Sequence, residues 1–436
     1  MADKHELAIN GGPKVRNEPF PAYKVIDDKE IKAAVKVLKS GILSKFLGSW
    51  DADFYGGPQV RSFEKEWAAY FKVKHAIAVN SCTSGLYAAV GACGVGPGDE
   101  VIVSPYTMSA TATSIIIFNA IPVFADIEED YFCLDPVSVE KKITRRTKAI
   151  MVVDIFGQPY DADKIHKIAK ENDLFVIEDA AQAPYAKYKG RFAGTLADIG
   201  VFSLNYHKHI HTGEGGVVVT NNDDLAEKVR LIRNHAETVV EDKGVSDLVN
   251  MIGFNFRMTE IEAAIGRSQL KKLKTLVKRR IENANYLFRG LKGLPGIMLP
   301  ALRRGATNVY YAEAIRYRQD IVGVPRDKFV RALKAELAPT GARKKEGVRV
   351  SCGYVKPLYL QPIYQKLIGY GKQGCPFRCP LYKGKVQYEK GLCPVAEKMH
   401  EEELFILDLA HAFMRKHDLD DIIRAFKKVY SLKDSL

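Results

Sequence analysis

The sequence predicts an α/β protein: a three-layer αβα large domain around a mostly parallel, mixed sheet, followed by a smaller α+β domain. The first observation behind this prediction is that short Val- and Ile-rich runs alternate with helix-length segments from about residue 60 to residue 220. Such runs, bounded by Gly, Pro, Asn or Asp, are typical of strands buried on both faces of a parallel sheet. The second observation is size, because 436 residues with 47% hydrophobic composition exceed what one hydrophobic core normally holds.

The individual elements of the large domain follow from these runs and from the helix signals between them. Strands are predicted at His75–Val79, Glu100–Val103, Pro122–Ala125, Ala149–Val153, Leu174–Ile177, Gly200–Phe202 and Gly216–Val219. Helices are predicted at Ser84–Gly94, Pro136–Lys142 and Asp161–Asn172, where Ser, Thr or Asp caps and an Asn stop mark the ends. The resulting order of alternating strands and helices favours parallel pairing.

The division into domains is predicted near residue 292. A long helix-prone stretch, Thr259–Leu291, is followed by the Gly- and Pro-rich segment Gly293–Gly305, and such punctuation is typical of a domain junction. We therefore expect residues 1–292 to form the large domain with an N-terminal extension, and residues 293–436 to form the smaller one. The predicted elements of the smaller domain are Tyr310–Tyr317 as a strand and Arg326–Leu337 and Leu419–Leu432 as helices.

Charge and targeting signals restrict the partners. The net charge of +13 favours anionic small molecules, whereas the densest basic run, Lys271–Arg280, carries apolar residues at helical spacing and is interpreted as a solvated helix face, so no nucleic-acid partner is predicted. The N-terminus, MADKHELAINGG, lacks the cationic start and apolar core of a secretory signal, and Ala110–Ala125 is too polar to span a membrane. We expect a cytoplasmic protein without membrane contact, whose seven cysteines are reduced thiols.

The most informative local pattern is Val201–Gly216, VFSLNYHKHIHTGEGG, in which Lys208 lies among histidines between a strand and a Gly-rich turn. A lysine amine can form a Schiff base with a carbonyl, but only the neutral amine attacks, so its surroundings must favour that form. His207 and His209 could supply such surroundings. A surface lysine before a tight turn is an equally good interpretation of this segment alone.

A second pattern is LFVIEDAAQA, in which an apolar strand delivers Glu178 and Asp179 at its carboxyl end. Ligands of open α/β sheets bind outside the carboxyl ends of the strands. A buried carboxylate there needs a positive partner, and a protonated pyridine nitrogen is one candidate. The alternative is an ordinary aspartate cap of a helix.

Two further segments are compatible with a phosphate-bearing aromatic cofactor. Asn80–Leu86 places Thr83 and Ser84 between a strand and a helix, where free backbone N–H groups and hydroxyls bind anions. Tyr106 follows the next strand and could stack on an aromatic ring. Each signal taken alone also fits a capped helix or a packed core residue.

Taken together, five motifs in this order resemble the DegT/DnrJ/EryC1/StrS family of sugar aminotransferases, which depend on pyridoxal phosphate. The motifs are TSGL, SPYT, EDAAQA, FSLNYHKHIHTGEGG and GFNFRMTEIEAAIG, and LAINGGPKVR near the start and CPVAEKMHEEEL near the end are also similar. The resemblance covers nearly the whole chain. It implies fold type I of the aspartate aminotransferase superfamily, pyridoxal 5′-phosphate as cofactor with pyridoxamine 5′-phosphate as its intermediate form, and a homodimer.

The resemblance also implies a role for each matching residue. Lys208 would be the catalytic lysine that binds the cofactor and moves protons, and Asp179 would pair with the pyridine nitrogen. The other cofactor contacts that it implies are Gln182 near the ring, Tyr106 stacked on it, Thr83, Ser84 and Ser203 on the phosphate, and Asn255 reaching the phosphate in the neighbouring subunit. Active sites shared across a dimer are therefore expected.

Three features bear on which branch of the family this is. One branch carries histidine in place of the lysine and is a sugar dehydratase, but Lys208 lies five residues after Ser203 and five before Gly213, the register of the aminotransferases. Near PLYLQP, where family members often have histidine, this chain has Tyr359. An insertion with Cys375 and Cys379 gives only a weak metal signal, so no metal is predicted.

The sequence therefore predicts an aminotransferase that moves an amino group from glutamate or glutamine to a ketosugar, preferably nucleotide-linked, or to a ketocyclitol, in amino-sugar biosynthesis. Two alternatives stay open at this point. One is a dehydratase on the same scaffold, and the other is a ligand-binding sensor that retains the fold, because fold does not fix function.

Overall fold

The computed structural model describes residues 6–436, apart from the side chains of residues 342–344. Its central feature is a seven-stranded sheet in the order β1-β9-β8-β5-β4-β2-β3. These strands are β1 (His75–Val79), β2 (Glu100–Val103), β3 (Ile121–Phe124), β4 (Thr147–Val153), β5 (Phe175–Asp179), β8 (Ile199–Ser203) and β9 (Gly216–Thr220). A two-stranded hairpin, β6 (Lys187–Tyr188) and β7 (Arg191–Phe192), lies between β5 and β8 in the chain.

Strand direction in this sheet is mostly parallel, as predicted. β3, β2, β4, β5 and β8 pair in parallel along the sheet, and β9 runs antiparallel to both β8 and β1. All seven predicted strands are present, with ends that differ from the prediction by at most two residues. Because β1, β2, β4, β5 and β8 point the same way, their carboxyl ends meet at one edge of the sheet.

Helices cover both faces of this sheet and connect its strands. The helices of the large domain are α1 (Asp28–Ser40), α2 (Pro58–Phe71), α3 (Cys82–Ala92), α4 (Ser109–Ile116), α5 (Pro136–Glu140), α6 (Ala162–Glu171), α7 (Asp223–Arg233) and α8 (Glu260–Leu291). The predicted α3, α5, α6 and α8 are confirmed. Helix α8 begins where Thr259 and Glu262 form a reciprocal capping box, which satisfies two N–H groups that the first turn leaves unpaired.

The close packing of α3 on the sheet depends on a small residue. A Cβ atom at Gly85 would lie 2.7 Å from a methyl carbon of Val201 on β8. Only glycine therefore lets this helix approach the strand, and its first turn is thereby held at the carboxyl edge of the sheet.

The C-terminal part contains a four-stranded antiparallel sheet in the order β10-β11-β13-β12. Its elements are β10 (Ile297–Met298), β11 (Glu313–Tyr317), α9 (Gln319–Val322), α10 (Arg326–Glu336), β12 (Val350–Cys352), α11 (Pro362–Gln365), α12 (Pro394–Lys398), β13 (Leu404–Leu407) and α13 (Lys416–Ser431). The core beneath this sheet also takes Leu7 and Phe20 from the N-terminal extension and Leu287 from α8. The N-terminal segment therefore packs on the smaller sheet.

The segment that follows β12 returns to the large sheet. Tyr359, Tyr364 and Tyr388 surround Phe124 of β3, and the Tyr388 hydroxyl donates a hydrogen bond of 2.8 Å to the carbonyl of Pro122. These aromatic rings cover the edge strand, whose backbone groups would otherwise be open to pairing. The boundary expected at residue 292 stays a prediction.

Within the described part of the chain, no helix combines the length and the apolar character needed to traverse a bilayer.

Candidate active site

Three loops that leave the carboxyl edge of the large sheet contribute to a cavity of about 400 Å³, together with residues after β2 and in the C-terminal part. One follows β1 and includes Ser81, one continues from Asp179 at the end of β5, and one runs from Ser203 at the end of β8 to β9. The residues that line the cavity are Ser81, Cys82, Thr83, Leu86, Thr107, Met108, Ala110, Val153, Asp179, Ala181, Gln182, Ser203, Asn205, His207, Lys208, Glu214, Tyr311 and Tyr354.

The cavity brings together most of the residues singled out from the sequence. Thr83, Asp179, Gln182, Ser203 and Lys208 all line it, although they come from three separate loops. The other three predicted site residues, Ser84, Tyr106 and Asn255, do not.

Asp179 is the buried carboxyl group of the site. Its Oδ2 accepts a hydrogen bond of 2.9 Å from the Thr111 hydroxyl, and its Oδ1 accepts one of 3.1 Å from the Ala181 N–H. Burial raises the pKa of Asp179, while these hydrogen bonds and the Lys208 ammonium oppose the rise. No ion pair to Asp179 forms among the described side chains, so a cation in the cavity would find its partner here.

The adjacent Glu178 serves the fold instead. Successive side chains of a strand point to opposite faces, so Glu178 points away from the cavity that Asp179 faces. Its carboxylate accepts hydrogen bonds from the N–H groups of Gly194, Leu196 and Ala197 at 2.7, 2.9 and 3.2 Å. This carboxylate therefore fixes the loop before β8.

Gln182 is held from two sides. Its Oε1 accepts a 2.8 Å hydrogen bond from the N–H of Phe156, and its Nε2 donates one of 3.0 Å to the hydroxyl of Tyr354. The amide is thereby fixed at the wall of the cavity. Tyr354 comes from the segment that returns to the large sheet, so the C-terminal part of the chain completes this wall.

Lys208 lies in the turn between β8 and β9, where its N–H donates a 2.9 Å hydrogen bond to the carbonyl of Asn205. Its Nζ lies 4.4 Å from the centre of the Tyr311 ring, a cation–π contact. His209, one of the two histidines that flank Lys208 in the sequence, is buried. Burial above all, and then the Arg280 guanidinium, lower the pKa of His209 to about 3, so its imidazole is neutral.

The first turn of α3 and the hydroxyls of Ser81, Thr83 and Ser203 all line the cavity, and this group is called the cradle. The N–H groups of a first helical turn have no acceptor within the helix, and here the Ser81 hydroxyl accepts a hydrogen bond of 3.0 Å from the Ser84 N–H. A Cβ at Gly216 would lie 2.7 Å from the Ser81 carbonyl, so only glycine lets β9 pass beneath this turn. Ser84 supports the cradle from behind, since its hydroxyl donates to the Asn80 side chain at 2.6 Å.

Tyr106 and Asn255 lie elsewhere. Tyr106 is fully buried, and its hydroxyl accepts a hydrogen bond of 2.9 Å from the N–H of Tyr354. Asn255 is exposed, and its Oδ1 accepts a 2.8 Å hydrogen bond from Nε of Arg257. In a single chain, therefore, Tyr106 packs behind the wall and Asn255 faces outward.

Three residues that the sequence did not single out contact the predicted ones, namely Thr111, Tyr311 and Tyr354. Local patterns gave no signal for them, because each reaches the site only through tertiary packing. Thr111 came closest to being found, since it lies in the helix that follows SPYT.

Tyr359, which stands where the related family often has histidine, is buried, and its hydroxyl donates to Glu397 rather than facing the cavity.

The cysteines that gave a weak metal signal are not assembled into a metal centre. All seven cysteines are free thiols. Across residues 6–436, no group of three or more His, Cys, Asp or Glu side chains is placed to hold a metal ion.

The geometry suits a ligand with an anionic end at the α3 turn and a cationic ring nitrogen at Asp179, with a lysine amine beside it. The α3 turn, Asp179 and Lys208 are far apart in the sequence, and only the fold brings them together. Such a site can bind a phosphorylated heteroaromatic ring and move a proton next to it.

Comparison with known proteins gives concordant matches. A sequence model described as the DegT/DnrJ/EryC1/StrS aminotransferase family matches residues 25–379. The chain is 34% identical over 421 residues to the spore coat polysaccharide biosynthesis protein SpsC of Bacillus subtilis (strain 168), covering 95% of this chain and 98% of SpsC. It is 31% identical over 446 residues to the L-glutamine:2-deoxy-scyllo-inosose aminotransferase of Micromonospora echinospora, covering 98% of each. The crystal structure of DesI in the presence of its TDP-sugar product matches with a TM-score of 0.78 at 27% identity, covering 98% of this chain and 96% of DesI.

Proposed function

The chain belongs to the DegT/DnrJ/EryC1/StrS aminotransferase family, and from that premise we propose that it transfers an amino group from L-glutamate or L-glutamine to a ketosugar or ketocyclitol, using pyridoxal phosphate. The observation that carries the proposal is that Lys208, Asp179, Gln182, Thr83 and Ser203 line one cavity. This is the set that such a reaction needs: an amine, a buried carboxylate and an anion cradle.

The residues present fit the cofactor. Asp179 is 4% exposed and has no ion-pair partner among the described residues, so a protonated pyridine nitrogen would relieve the cost of its burial. The α3 turn with Ser81, Thr83 and Ser203 would hold the phosphate group. When bound, pyridoxal phosphate supplies an electron sink for the electrons of the C–H bond that is broken.

The side chains around the bound cofactor would orient its ring and transfer protons. Asp179 would keep the ring nitrogen protonated, and Gln182, fixed by Phe156 and Tyr354, would orient the ring edge. Lys208 Nζ is the group within the cavity that can take a proton from the substrate carbon and return it. The Tyr311 ring, whose centre is 4.4 Å from Lys208 Nζ, would hold the lysine amine near the reacting atoms.

The substrate class is supported from two directions. DesI was solved with a TDP-sugar product, whereas the Micromonospora relative is named for glutamine and a cyclitol ketone. The net charge of +13 favours an anionic acceptor such as a nucleotide-linked sugar. We accordingly place the nucleotide-linked ketosugar first and the ketocyclitol second.

A homodimer with shared sites is the corresponding assembly proposal. Exposed apolar side chains form a stripe on α1 and a second group after α7, and exposed apolar surface of this kind can mark a protein–protein interface. These side chains are Ile31, Val35, Leu38, Leu248, Val249 and Ile252, between 40% and 73% exposed. Asn255 lies on the same exposed segment as the second group, from which it could reach a partner's cavity.

The test of the reaction is spectroscopic. Purified protein is loaded with pyridoxal phosphate, and glutamate and glutamine are added separately. We expect a visible absorption band that disappears as the amino group is transferred to the cofactor, followed by amination of a keto acceptor. In Lys208→Ala both the visible band and turnover should be lost, whereas the surface variant Lys167→Ala should retain both.

Three results would contradict this function. Retained transamination in Lys208→Ala would remove the lysine from its role. Consumption of a sugar substrate without consumption of an amino donor would instead favour the dehydratase, and saturable ligand binding without any chemistry would favour the sensor.

Sharing of the sites is tested by subunit complementation. Lys208→Ala and Asn255→Ala chains should each be inactive as homodimers, but a mixed dimer contains one site with both residues intact. Random mixing should therefore restore about a quarter of wild-type activity. No recovery in dimers shown to be mixed would place both residues in the same subunit's site.

A further inference from the structure

A second cavity, of about 540 Å³, lies at the edge of the large sheet opposite the candidate active site. Lys72, which precedes β1, and Thr195, which precedes β8, line it together with Asn221, which follows β9. Because β9 runs antiparallel to β1 and β8, these three positions share the edge away from Asp179. This far-edge cavity is therefore a separate place on the molecule.

Its charge is of one sign. Lys72, Lys187, Arg191 and Lys274 line it, and no Asp or Glu does. None of these four side chains forms an ion pair with any residue that the structure describes. They come from the end of α2, from the hairpin and from α8, so the fold, rather than one basic run, gathers them. Like charges gathered in a concave surface repel one another and attract a multivalent anion.

The wall of the far-edge cavity is aromatic. Tyr70, Tyr185 and Phe192 line it, with ring centres of neighbouring pairs 5.4 to 6.4 Å apart. The Lys187 ammonium lies 4.6 Å from the centre of the Phe192 ring. An incoming phosphate would compete with the ring for this ammonium.

The hairpin that carries two of the cations has a tight two-residue turn. Lys189 and Gly190 have φ values of 48° and 83°, which is the pair of positive angles that a two-residue type I′ turn requires. Lys187 pairs directly with Phe192 across the hairpin, so the ammonium and the ring are on the same face. Nη2 of Arg191 donates a 2.8 Å hydrogen bond to the carbonyl of Thr195, which orients the guanidinium.

We propose that the far-edge cavity binds a ligand in which two or more phosphate groups are attached to an aromatic ring, of the class of a nucleoside diphosphate. The cations would bind the phosphates, and Arg191 could form a bidentate contact with one of them. The aromatic side chains of the wall would stack on the ring of the ligand. A volume of about 540 Å³ accommodates a ligand of that size. This inference does not depend on the proposed reaction, since no active-site residue takes part.

A built-in reporter makes the site measurable. The chain has two tryptophans, and the ring of Trp67 stacks on Phe71, which lines the far-edge cavity, with centres 4.9 Å apart. Trp50 is 42% exposed and lies elsewhere, against Phe54. In Trp50→Phe holoenzyme the emission of Trp67 therefore reports on this cavity.

The experiment titrates uridine diphosphate, inorganic pyrophosphate and uridine into this holoenzyme and follows Trp67 emission. We expect saturable binding of uridine diphosphate that weakens with added salt, weaker binding of pyrophosphate, and no binding of uridine at the same concentrations. The double substitution Lys187→Gln with Arg191→Gln should weaken uridine diphosphate binding at least about tenfold, because it removes two of the four cations.

The matched control is Lys278→Gln with Arg279→Gln, which removes the same charge from α8 outside the cavity. This control should bind uridine diphosphate as the parent protein does. Neither double substitution changes the active site, so any binding of the nucleotide there should be the same in both variants. Four results would overturn the proposal: no saturable signal, equal affinity in the hairpin variant, equal loss in the control, or pyrophosphate binding as tightly as the nucleotide. Tight binding of an oligonucleotide with none of the mononucleotide would also overturn it.

Discussion

The hydrogen bond from Thr111 to Asp179 offers a sharp test of how the site binds its cofactor. Thr111 is fully buried in α4, and its hydroxyl donates one of the two hydrogen bonds that the Asp179 carboxylate receives. Thr111→Val keeps the shape of the side chain and removes the donor. The carboxylate would then keep only the 3.1 Å hydrogen bond from the Ala181 N–H.

The size of the effect follows from the charge on the acceptor. A hydrogen bond to a charged group contributes about 1.5 to 3 kcal/mol, and a change of 1.4 kcal/mol corresponds to a factor of ten in an equilibrium constant. Burial already raises the pKa of Asp179, so losing a donor raises it further and favours the neutral carboxyl group. A neutral carboxyl holds a ring cation poorly, and we expect pyridoxal phosphate to bind roughly 10- to 150-fold more weakly.

The assay is a titration of the apoprotein with pyridoxal phosphate, followed by absorbance, with urea unfolding of the apoprotein measured alongside. Thr111→Ser retains the hydroxyl and should bind close to wild type. Thr113→Val, on the same helix but bonded only to the Ala110 carbonyl, is the matched control. If Thr111→Val bound the cofactor as tightly as wild type, the Asp179 carboxylate would not be the partner of the ring.

Two further substitutions test the fold around the sites. Burial raises the pKa of Glu313 to about 7 from an ordinary 4.5, so its protonated form stabilises the native state at low pH. That contribution, about 3 kcal/mol, is lost as pH rises from about 4.5 to 7. Glu313→Gln should therefore gain stability relative to wild type over that pH window, measured by urea unfolding. A difference in unfolding free energy that did not change with pH would contradict the assignment. A Cβ at Gly200 would lie 2.0 Å from the Gly194 carbonyl oxygen, so Gly200→Ala should lower the free energy of unfolding by at least about 3 kcal/mol. Gly96→Ala, where a Cβ meets open space, should change it little, and equal effects would refute the packing argument.

Much of the fold could be predicted because its signals are local. The strands of the large sheet are short runs of Val and Ile bounded by turn residues, and α8 begins at a capping box that four residues encode. The smaller domain was harder to predict. Its strands β10 and β12 are two and three residues long, too short for a periodic pattern to stand out.

The candidate site, too, could be predicted only in part. Asp179 is predicted from the sequence because it follows an apolar run, and Lys208 because it lies between a strand and a Gly-rich turn, whereas Ser203 is implied only by the family resemblance. The stacking role of Tyr106 rests on its place after a strand and on the family resemblance, and it stays a prediction. In the single chain its ring is buried, because the turn after the strand directs it toward Tyr354.

The sequence by itself determined the strands in their order along the chain and pointed to the carboxyl edge as the place of the site, and with the family resemblance it named the lysine and the aspartate proposed to act there. Only the tertiary structure decided what supports them. Thr111 lies 68 residues from Asp179, and Tyr354 lies 172 residues from Gln182, yet both pairs are hydrogen-bonded. No local pattern encodes such contacts, because they form only when separate segments pack together and a buried polar group must find a partner within reach.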